Sequence, residues 1–508
     1  MGRQARRADD QDARGVRPQP GRRPVTSLRT DIDDDYVEGP LYAAAKRIYP
    51  QSVRGVYRRI KWIVLCVTLG LYYLLPFARW DRGPNEPHQA VLVDMTHRKF
   101  YFFFIEIWPQ EVYYLTGLLI LAAMTLFLLN AVAGRIWCGY LCPQTVWTDL
   151  FFAVERLVEG DRRERMHKDS GPWTFRRVRE KTLKHAIWLV IAWWTGGAWV
   201  LYFNDAPTLV GQLATLQAPA IAWIWIGILT ATTYGLAGFM REQVCVYMCP
   251  WPRIQAAMTD ENALNVTYRR DRGEQRMSLK KATAARALGE PAGDCIDCNQ
   301  CVAVCPTGVD IRDGANLGCI QCGLCIDACD AVMEKIGRPT RLIAYDTEIN
   351  IDRRRAGKPN VFKPVRARTI LYVVVIALVG GVMTAALATR VDLGVSAIHD
   401  RNPMFVRTAD GSIRNGYLIR LVNRASTARE FTIGAESAEV PRLQAIGVES
   451  DPQGRLIAQV GPDQTREIRV TATLRAAVAR PASQDLAFRI VDRATGETAI
   501  VKDHFDAP

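Results

Sequence analysis

No Gly-x-Gly-x-x-Gly and no P-loop pattern occurs in the 508 residues, so the chain has no evident site for NAD, flavin or ATP. Its electrons must come from another protein or a quinol. Histidine is scarce: His88, His97, His167, His185, His399 and His504 are all there are. A membrane haem b needs paired histidines as axial ligands, and only His185 falls in an apolar stretch, at its edge. No haem is expected, and each histidine reads as a solvated or internally satisfied residue. Large apolar side chains are nearly missing from residues 1–35, which cannot offset their ordering entropy and are expected to form a disordered cytoplasmic arm. That arm holds no apolar signal core, and its aspartates interleave with its arginines without a nucleic-acid motif behind them. Cysteine is absent from 391–508, so a domain there is held by its core alone.

Asp, Glu, Lys and Arg are absent from the interiors of five apolar stretches, about 62–78, 112–133, 185–203, 219–240 and 369–389. Each is long enough to cross roughly 30 Å of hydrocarbon as a helix. Lys and Arg number fourteen in residues 1–61 and ten in 134–183, against four in 79–111 and none in 204–218. The positive-inside rule then puts the N-terminus inside, residues 241–368 in the cytoplasm and the C-terminal tail outside a bacterial cytoplasmic membrane. Aromatics such as Tyr101 to Phe104, Trp223 and Trp225 read as interfacial belts. Arg162 to Arg165 and Arg176 to Arg179 read as positive-inside anchors, and Cys66 as packing.

Cysteine is concentrated in the segment from Asp294 to Asp330. Cys295, Cys298, Cys301 and Cys305, then Cys319, Cys322, Cys325 and Cys329, form two Cys-x2-Cys-x2-Cys-x3-Cys runs. This is the ligand pattern of a bacterial ferredoxin with two [4Fe–4S] clusters, in which each run lends its fourth cysteine to the other cluster. The expected sets are Cys295, Cys298, Cys301 and Cys329 for the first cluster, and Cys319, Cys322, Cys325 and Cys305 for the second. Paired Cys-x2-Cys runs also build zinc sites, but two identical four-cysteine runs thirteen residues apart fit a zinc ribbon poorly. Pro306 follows the first run. Asp330 stands where a second proline is expected, and a carboxylate there should lower the potential of the neighbouring cluster.

A second constellation lies at the ends of the second and fourth apolar stretches, W-C-G-Y-L-C-P-Q (Cys138, Cys142, Pro143) and V-C-V-Y-M-C-P-W (Cys245, Cys249, Pro250). Cysteines at i and i+4 share a helix face, with the proline expected to end or bend the helix beneath them. Four thiolates from two such ends suit Cu(I) or a further cluster, since both select soft ligands. Residues 251–290 and 331–368 read as linkers flanking the ferredoxin. Between 391 and 508, alternating runs at 416–423, 430–433, 466–474 and 486–492 are punctuated by turn residues, as in an immunoglobulin-like β-sandwich.

The expected architecture is a multi-domain membrane protein. A disordered arm (1–35) precedes a four-helix transmembrane region (36–250) and a cytoplasmic bacterial-type 2[4Fe–4S] ferredoxin-like domain (251–368). A fifth transmembrane helix (369–389) leads to a periplasmic immunoglobulin-like β-sandwich (391–508). This order of parts, with W-C-G-Y-L-C-P-Q-T-V-W at 137–147 and V-Y-M-C-P-W at 246–251, resembles the cytochrome c oxidase accessory protein family, called CcoG, FixG or the Rdx type. The membrane motifs are shared more loosely with polyferredoxin-type proteins of nitrate and nitrous oxide respiration. The resemblance implies a cupric reductase that supplies Cu(I) for assembly of a cbb-type haem–copper oxidase. It implies copper ions, copper-delivery and oxidase assembly factors, a cytoplasmic electron donor and a second copy of the chain as partners, and no nucleic acid. An electron conduit to a partner reductase or quinone and a non-enzymatic assembly scaffold are the competing readings.

Overall fold

Four helices are long and apolar enough to cross a membrane: Val56–Phe77, Tyr113–Ala133, Ala220–Met240 and Ala367–Ala388. They belong to a computed structural model that describes residues 47–83, 86–390, 393–425, 427–462, 464–475 and 481–507. The arm expected at 1–35 lies outside the described residues, and the chain from Ile48 onward is one unit. The remaining apolar stretch, 185–203, belongs to a helix that begins ten residues earlier and runs Phe175–Val200. It starts at Thr174, whose hydroxyl accepts from the Arg177 N–H, a serine/threonine-type N-cap. Its basic first turns and its tryptophans make it less apolar than the other four.

The first span also starts earlier than expected, at Val56, because Arg58 and Lys61 are not left in solvent. Both are buried, and Arg58 donates twice to Asp149 at 2.7 and 2.9 Å. Small residues set the helix approaches. Gly196 of Phe175–Val200 lies against the Ile226 carbonyl and Thr230 of the Ala220–Thr233 helix, and Gly117 lies against Met383. The Gly117–Met383 contact and the Phe127–Tyr372 pair, 6.1 Å apart, make Tyr113–Ala133 and Ala367–Ala388 antiparallel neighbours. No residue in the most apolar window of Ala367–Ala388 is buried within the protein, as expected of a helix apolar on all sides that faces lipid. Cys66 is likewise exposed, so it is not the packing residue expected.

Loops at the two ends of the spans separate cleanly. At one end, β1 (Val91–Asp94), β2 (Lys99–Phe102) and β3 (Ile105–Ile107) form an antiparallel sheet. Gln89 bonds the Leu201 carbonyl at 2.8 Å, and Arg390 and Arg424 both reach Glu111. Tyr101 is buried there with its hydroxyl on Glu86 at 2.8 Å, a sheet residue and not the membrane-belt aromatic expected. At the other end a buried ion network joins Glu155, Arg165, Arg241, Lys184 and Glu159. Arg241 donates to Glu155 at 2.5 Å, Lys184 forms an ion pair with Glu159 at 2.9 Å, and Arg165 also pairs with Glu155. Arg165 is thus an internal cation, not the exposed anchor expected. Replacing Glu155 by Gln leaves Arg165 and Arg241 short of their counter-charge. Removing one partner of a buried pair costs about 3–5 kcal/mol, so the detergent-purified variant should unfold well below wild type in a tryptophan-fluorescence melt.

The segments read as linkers contribute structure. β4 (Asn265–Tyr268) pairs antiparallel with β5 (Ile343–Asp346), closing both ends of the cysteine segment, and Glu348–Arg355 is helical. Periodicity missed these strands because each is only four residues long. The C-terminal domain is a two-sheet sandwich of β6 (Leu393–His399), β7 (Val406–Arg407), β8 (Ile413–Asn423), β9 (Arg429–Ser437), β10 (Arg442–Ala445), β11 (Glu449–Ser450), β12 (Leu456–Val460), β13 (Gln464–Leu474), β14 (Ser483–Asp492) and β15 (Thr498–Asp506). One sheet runs β10-β13-β8-β6, with β7 on β8, and the other runs β11-β12-β9-β14-β15. Tyr417, Ile419 and Leu421 of β8 alternate inward against Phe431, Ile433, Phe488 and Ile490. Each such side chain contributes about 1.5–3 kcal/mol by leaving water, which is how the domain stands without a disulfide.

Candidate metal centre

The two cysteine runs share one backbone device. Asp297 and Asn299 flank Cys298 with positive φ, as Gln321 and Gly323 flank Cys322. Left-handed residues on either side of the middle cysteine curl the loop and turn successive N–H groups inward, the kind of nest that receives an electron-rich centre. The Gln321 N–H bonds Cys319 and the Leu324 N–H bonds Cys322, and N–H···S bonds of this type tune a cluster's potential.

Cys305 and Cys301 of the first run line one cavity with Cys319, Cys322 and Cys325 of the second, among Val266, Val309, Ile311 and Ile320, and Cys305 is a charge neighbour of all three second-run thiols. Conversely Cys329 lies beside Cys295, Cys298 and Cys301. Burial pushes the Cys301, Cys319 and Cys329 thiols up to about 12 and Cys325 well above its ordinary value. Bare thiolates are disfavoured there, so positive metal centres are what would make the ionised ligands stable. A single tetrahedral ion with bonds of about 2.3 Å holds its sulfurs about 3.8 Å apart. Among the described residues no three cysteine sulfurs lie within 4.8 Å of one another, so no such zinc cage is formed there. Asp330, the proline replacement, accepts the Arg341 N–H at 2.6 Å, which partly offsets its charge. Beside the first run, buried Arg312 joins Asp310 and Asp297 at 2.6 and 2.5 Å.

The membrane motifs are not single helices. Ile136–Tyr140 is a short helix, Cys142 is extended, and Pro143 opens the Pro143–Glu159 helix. In the second motif Cys245 sits in a π-turn, Cys249 is extended, and Pro250 precedes Trp251–Met258. The helical segment ends before each proline, as expected, and a second helix that the sequence did not suggest begins at Pro143 and directly after Pro250. The physical reason is that a residue before proline is forced out of the α region, while proline itself suits a first turn. Both motifs close alike, with the Cys142 N–H on the Trp137 carbonyl at 2.9 Å and the Cys249 N–H on the Val244 carbonyl at 2.8 Å. The four thiols are brought together. Burial, then repulsion from neighbouring thiols, pushes Cys138 and Cys245 up to about 12, with Cys142 and Cys249 among those neighbours.

This thiol group abuts the second ferredoxin run. A Cβ on Gly139 would stand 2.8 Å from the Ile320 carbonyl and 3.2 Å from Cys322 Cα. The Tyr140 hydroxyl donates to the Cys322 carbonyl at 2.9 Å, and Arg135 donates to the Leu317 and Cys319 carbonyls at 2.5 and 3.2 Å. Cys245 shares a cavity with Lys61, Pro306, Thr307 and Ile320. Cys138 donates to buried Gln255 at 3.5 Å. Sequence reasoning missed Lys61, Arg135, Gln255 and Arg312, while Tyr140 stands out in the sequence only as the tyrosine repeated at Tyr247 in the second motif. Lys61 and Arg135 end apolar runs and were legible only as topology charges.

Comparison with known proteins bears on each part. Residues 240–348 match a family model described as a 4Fe-4S dicluster domain, residues 115–159 a 4Fe-4S binding domain, and residues 383–508 an IG-like fold at the C-terminal of FixG. The chain is 46% identical over 498 residues to nitrogen fixation protein FixG of Rhizobium meliloti, covering 93% of this chain and 95% of that one. It is 51% identical over 404 residues to protein RdxA of Cereibacter sphaeroides (78% and 84%) and 46% over 461 residues to RdxB of the same organism (90% and 95%).

Proposed function

The chain belongs to the FixG/Rdx family of membrane iron–sulfur proteins, and from that premise we propose that it reduces Cu(II) to Cu(I) for assembly of a cbb-type haem–copper oxidase. Cys295, Cys298, Cys301 and Cys329 would hold one cluster, and Cys305, Cys319, Cys322 and Cys325 the other. When bound and reduced, each supplies one electron, which is what converts one Cu(II) to Cu(I). Cys138, Cys142, Cys245 and Cys249 receive the copper, because thiolate selects the soft monovalent ion over the divalent one. The observation that carries this reading is the contact of Gly139 with the Ile320–Cys322 backbone, which leaves no intervening side chain between the two cysteine groups. The basic segments 134–183 and 241–368 lie at the ferredoxin end of the spans, and the positive-inside rule makes that end cytoplasmic and the sandwich periplasmic.

The test is anaerobic: reduce the detergent-purified protein, remove the reductant, add Cu(II), and follow cluster reoxidation together with Cu(I) trapped by a chromogenic chelator. The two should rise in step in wild type. In Cys138→Ser/Cys249→Ser, Cu(I) should fail to appear while the ferredoxin signal persists. Reduced clusters that ignore Cu(II) in wild type would leave the electron conduit to a reductase or quinone. An oxidase-assembly function that survives loss of every cysteine would leave the scaffold.

A further inference from the structure

The two sheets of the sandwich meet along their edge strands β6 and β15. At one end of that seam His399, His504 and Asp506 bring three ligand atoms within 4.8 Å of one another. His504 and Asp506 are two apart on β15 and so share a face, while Phe505 between them points into the core.

The protonation of His399 is decided by Asn415, a fully buried residue. The Asn415 amide cannot be turned round: its Nδ2 donates to the Asp506 carbonyl at 2.9 Å and its Oδ1 accepts the Asp506 N–H at 3.1 Å. That same Oδ1 lies 2.8 Å from His399 Nε2, which must therefore carry the proton. In the neutral ring the lone pair is then on Nδ1, which faces Asp506 Oδ2 at 3.8 Å. His504 is held in the complementary way. Its Nδ1 lies 3.1 Å from Asp503 Oδ1, leaving Nε2 to face Asp506 Oδ2 at 3.5 Å. Two imidazoles each have one nitrogen anchored to an oxygen and the other turned toward one carboxylate. This is the outer support that orients histidine as a metal ligand. Gaps of 3.5 and 3.8 Å exceed a hydrogen bond. Bonds of about 2.0–2.2 Å at square or tetrahedral angles separate adjacent ligands by about 2.8–3.6 Å, so the 3.5 Å gap suits ligands sharing an ion and the 3.8 Å gap needs to close by only about 0.2 Å.

We propose that His399, His504 and Asp506 form a divalent transition-metal site that binds Cu(II) most tightly. Two imidazole nitrogens and a carboxylate oxygen, with no sulfur, disfavour Cu(I), and among first-row divalent ions such a set binds Cu(II) most strongly. The His399 side chain is 8% exposed and that of His504 51%, so one ligand is fixed and the other opens to solvent, giving an ion a way in. The site is separate from the thiolate group at the other end of the molecule and does not depend on what those thiolates do.

The test uses the full chain in detergent with its clusters oxidised. One equivalent of Cu(II) should give an axial EPR signal split by two imidazole nitrogens. His504→Gln, at an exposed position that leaves the core intact, should weaken Cu(II) binding at least tenfold and reduce the pattern to one nitrogen. Asp503→Asn should keep both nitrogens and weaken binding about tenfold, the usual cost of losing an outer-shell partner. Absence of a nitrogen-split signal in wild type, or the same signal and affinity in His504→Gln, would overturn the site and leave His399, His504 and Asp506 as an ionic contact between sheets. An unchanged tryptophan-fluorescence melt checks that each variant is folded.

Discussion

Cys305→Ala should cost the protein the cluster of the second cysteine run, not that of its own. Cys305 belongs to the first run by position, yet it neighbours Cys319, Cys322 and Cys325 in a cavity that they share with Cys301, and Cys329 lies beside Cys295, Cys298 and Cys301. Pairs of substitutions separate this crossed arrangement from one in which each run closes its own cluster. Cys305→Ala with Cys322→Ala removes two ligands of one cluster, so iron should fall from about eight to about four per chain, no further than either change alone. Cys305→Ala with Cys298→Ala touches both clusters and should leave almost none. Uncrossed runs predict the reverse for the two pairs, so iron and acid-labile sulfide analysis of four proteins decides it. The crossing has a physical cause. A loop with a cysteine every third residue wraps three corners of a cubane, and the fourth must come from a segment approaching from the other side, here the Leu324–Lys335 helix for Cys329.

Gly139→Ala should slow Cu(II)-dependent reoxidation at least tenfold while the first cluster stays loaded. The added methyl would meet the Ile320 carbonyl at 2.8 Å, the Gln321 carbonyl at 3.1 Å and Cys322 Cα at 3.2 Å, all backbone atoms that no rotamer change can move aside. Overpacking of this kind typically costs about 1–3 kcal/mol. It is relieved by parting the membrane motif from the second run, which opens the contact on which transfer depends. Gly197→Ala is the control, since a methyl there meets nothing within 4 Å and should leave the rate unchanged. Stopped-flow reoxidation of the three proteins, with iron content measured alongside, makes the comparison. An unaltered rate in Gly139→Ala with clusters intact would remove the Gly139 contact from the electron's route.

Much of this was legible in the residues because it depends on local pattern. Charge-free runs of about 20 residues mark membrane spans whatever packs around them, and the sandwich declared itself through alternation in 416–423 and 486–492. Eight cysteines at repeated spacing allow few chemistries. What failed were short or bent pieces. The four-residue strands β4 and β5 stabilise each other only by pairing across 74 intervening residues, and no window of sequence contains both. The Cys-x3-Cys spacing is helical, whereas the backbone restriction before proline breaks each motif at its second cysteine.

The sequence by itself determined the kinds of ligand, the number of cysteine groups, the spans and the class of each domain, because these follow from side-chain chemistry and its period along the chain. Only the tertiary structure decided which groups touch. It set Gly139 against Cys322, buried Lys61 and Arg135 beside the cysteines, and turned His399 and His504, 105 residues apart, toward the same carboxylate. Contact between remote residues depends on how whole elements pack, and packing is settled by the sum of many small burial and hydrogen-bond terms that no local stretch of sequence contains.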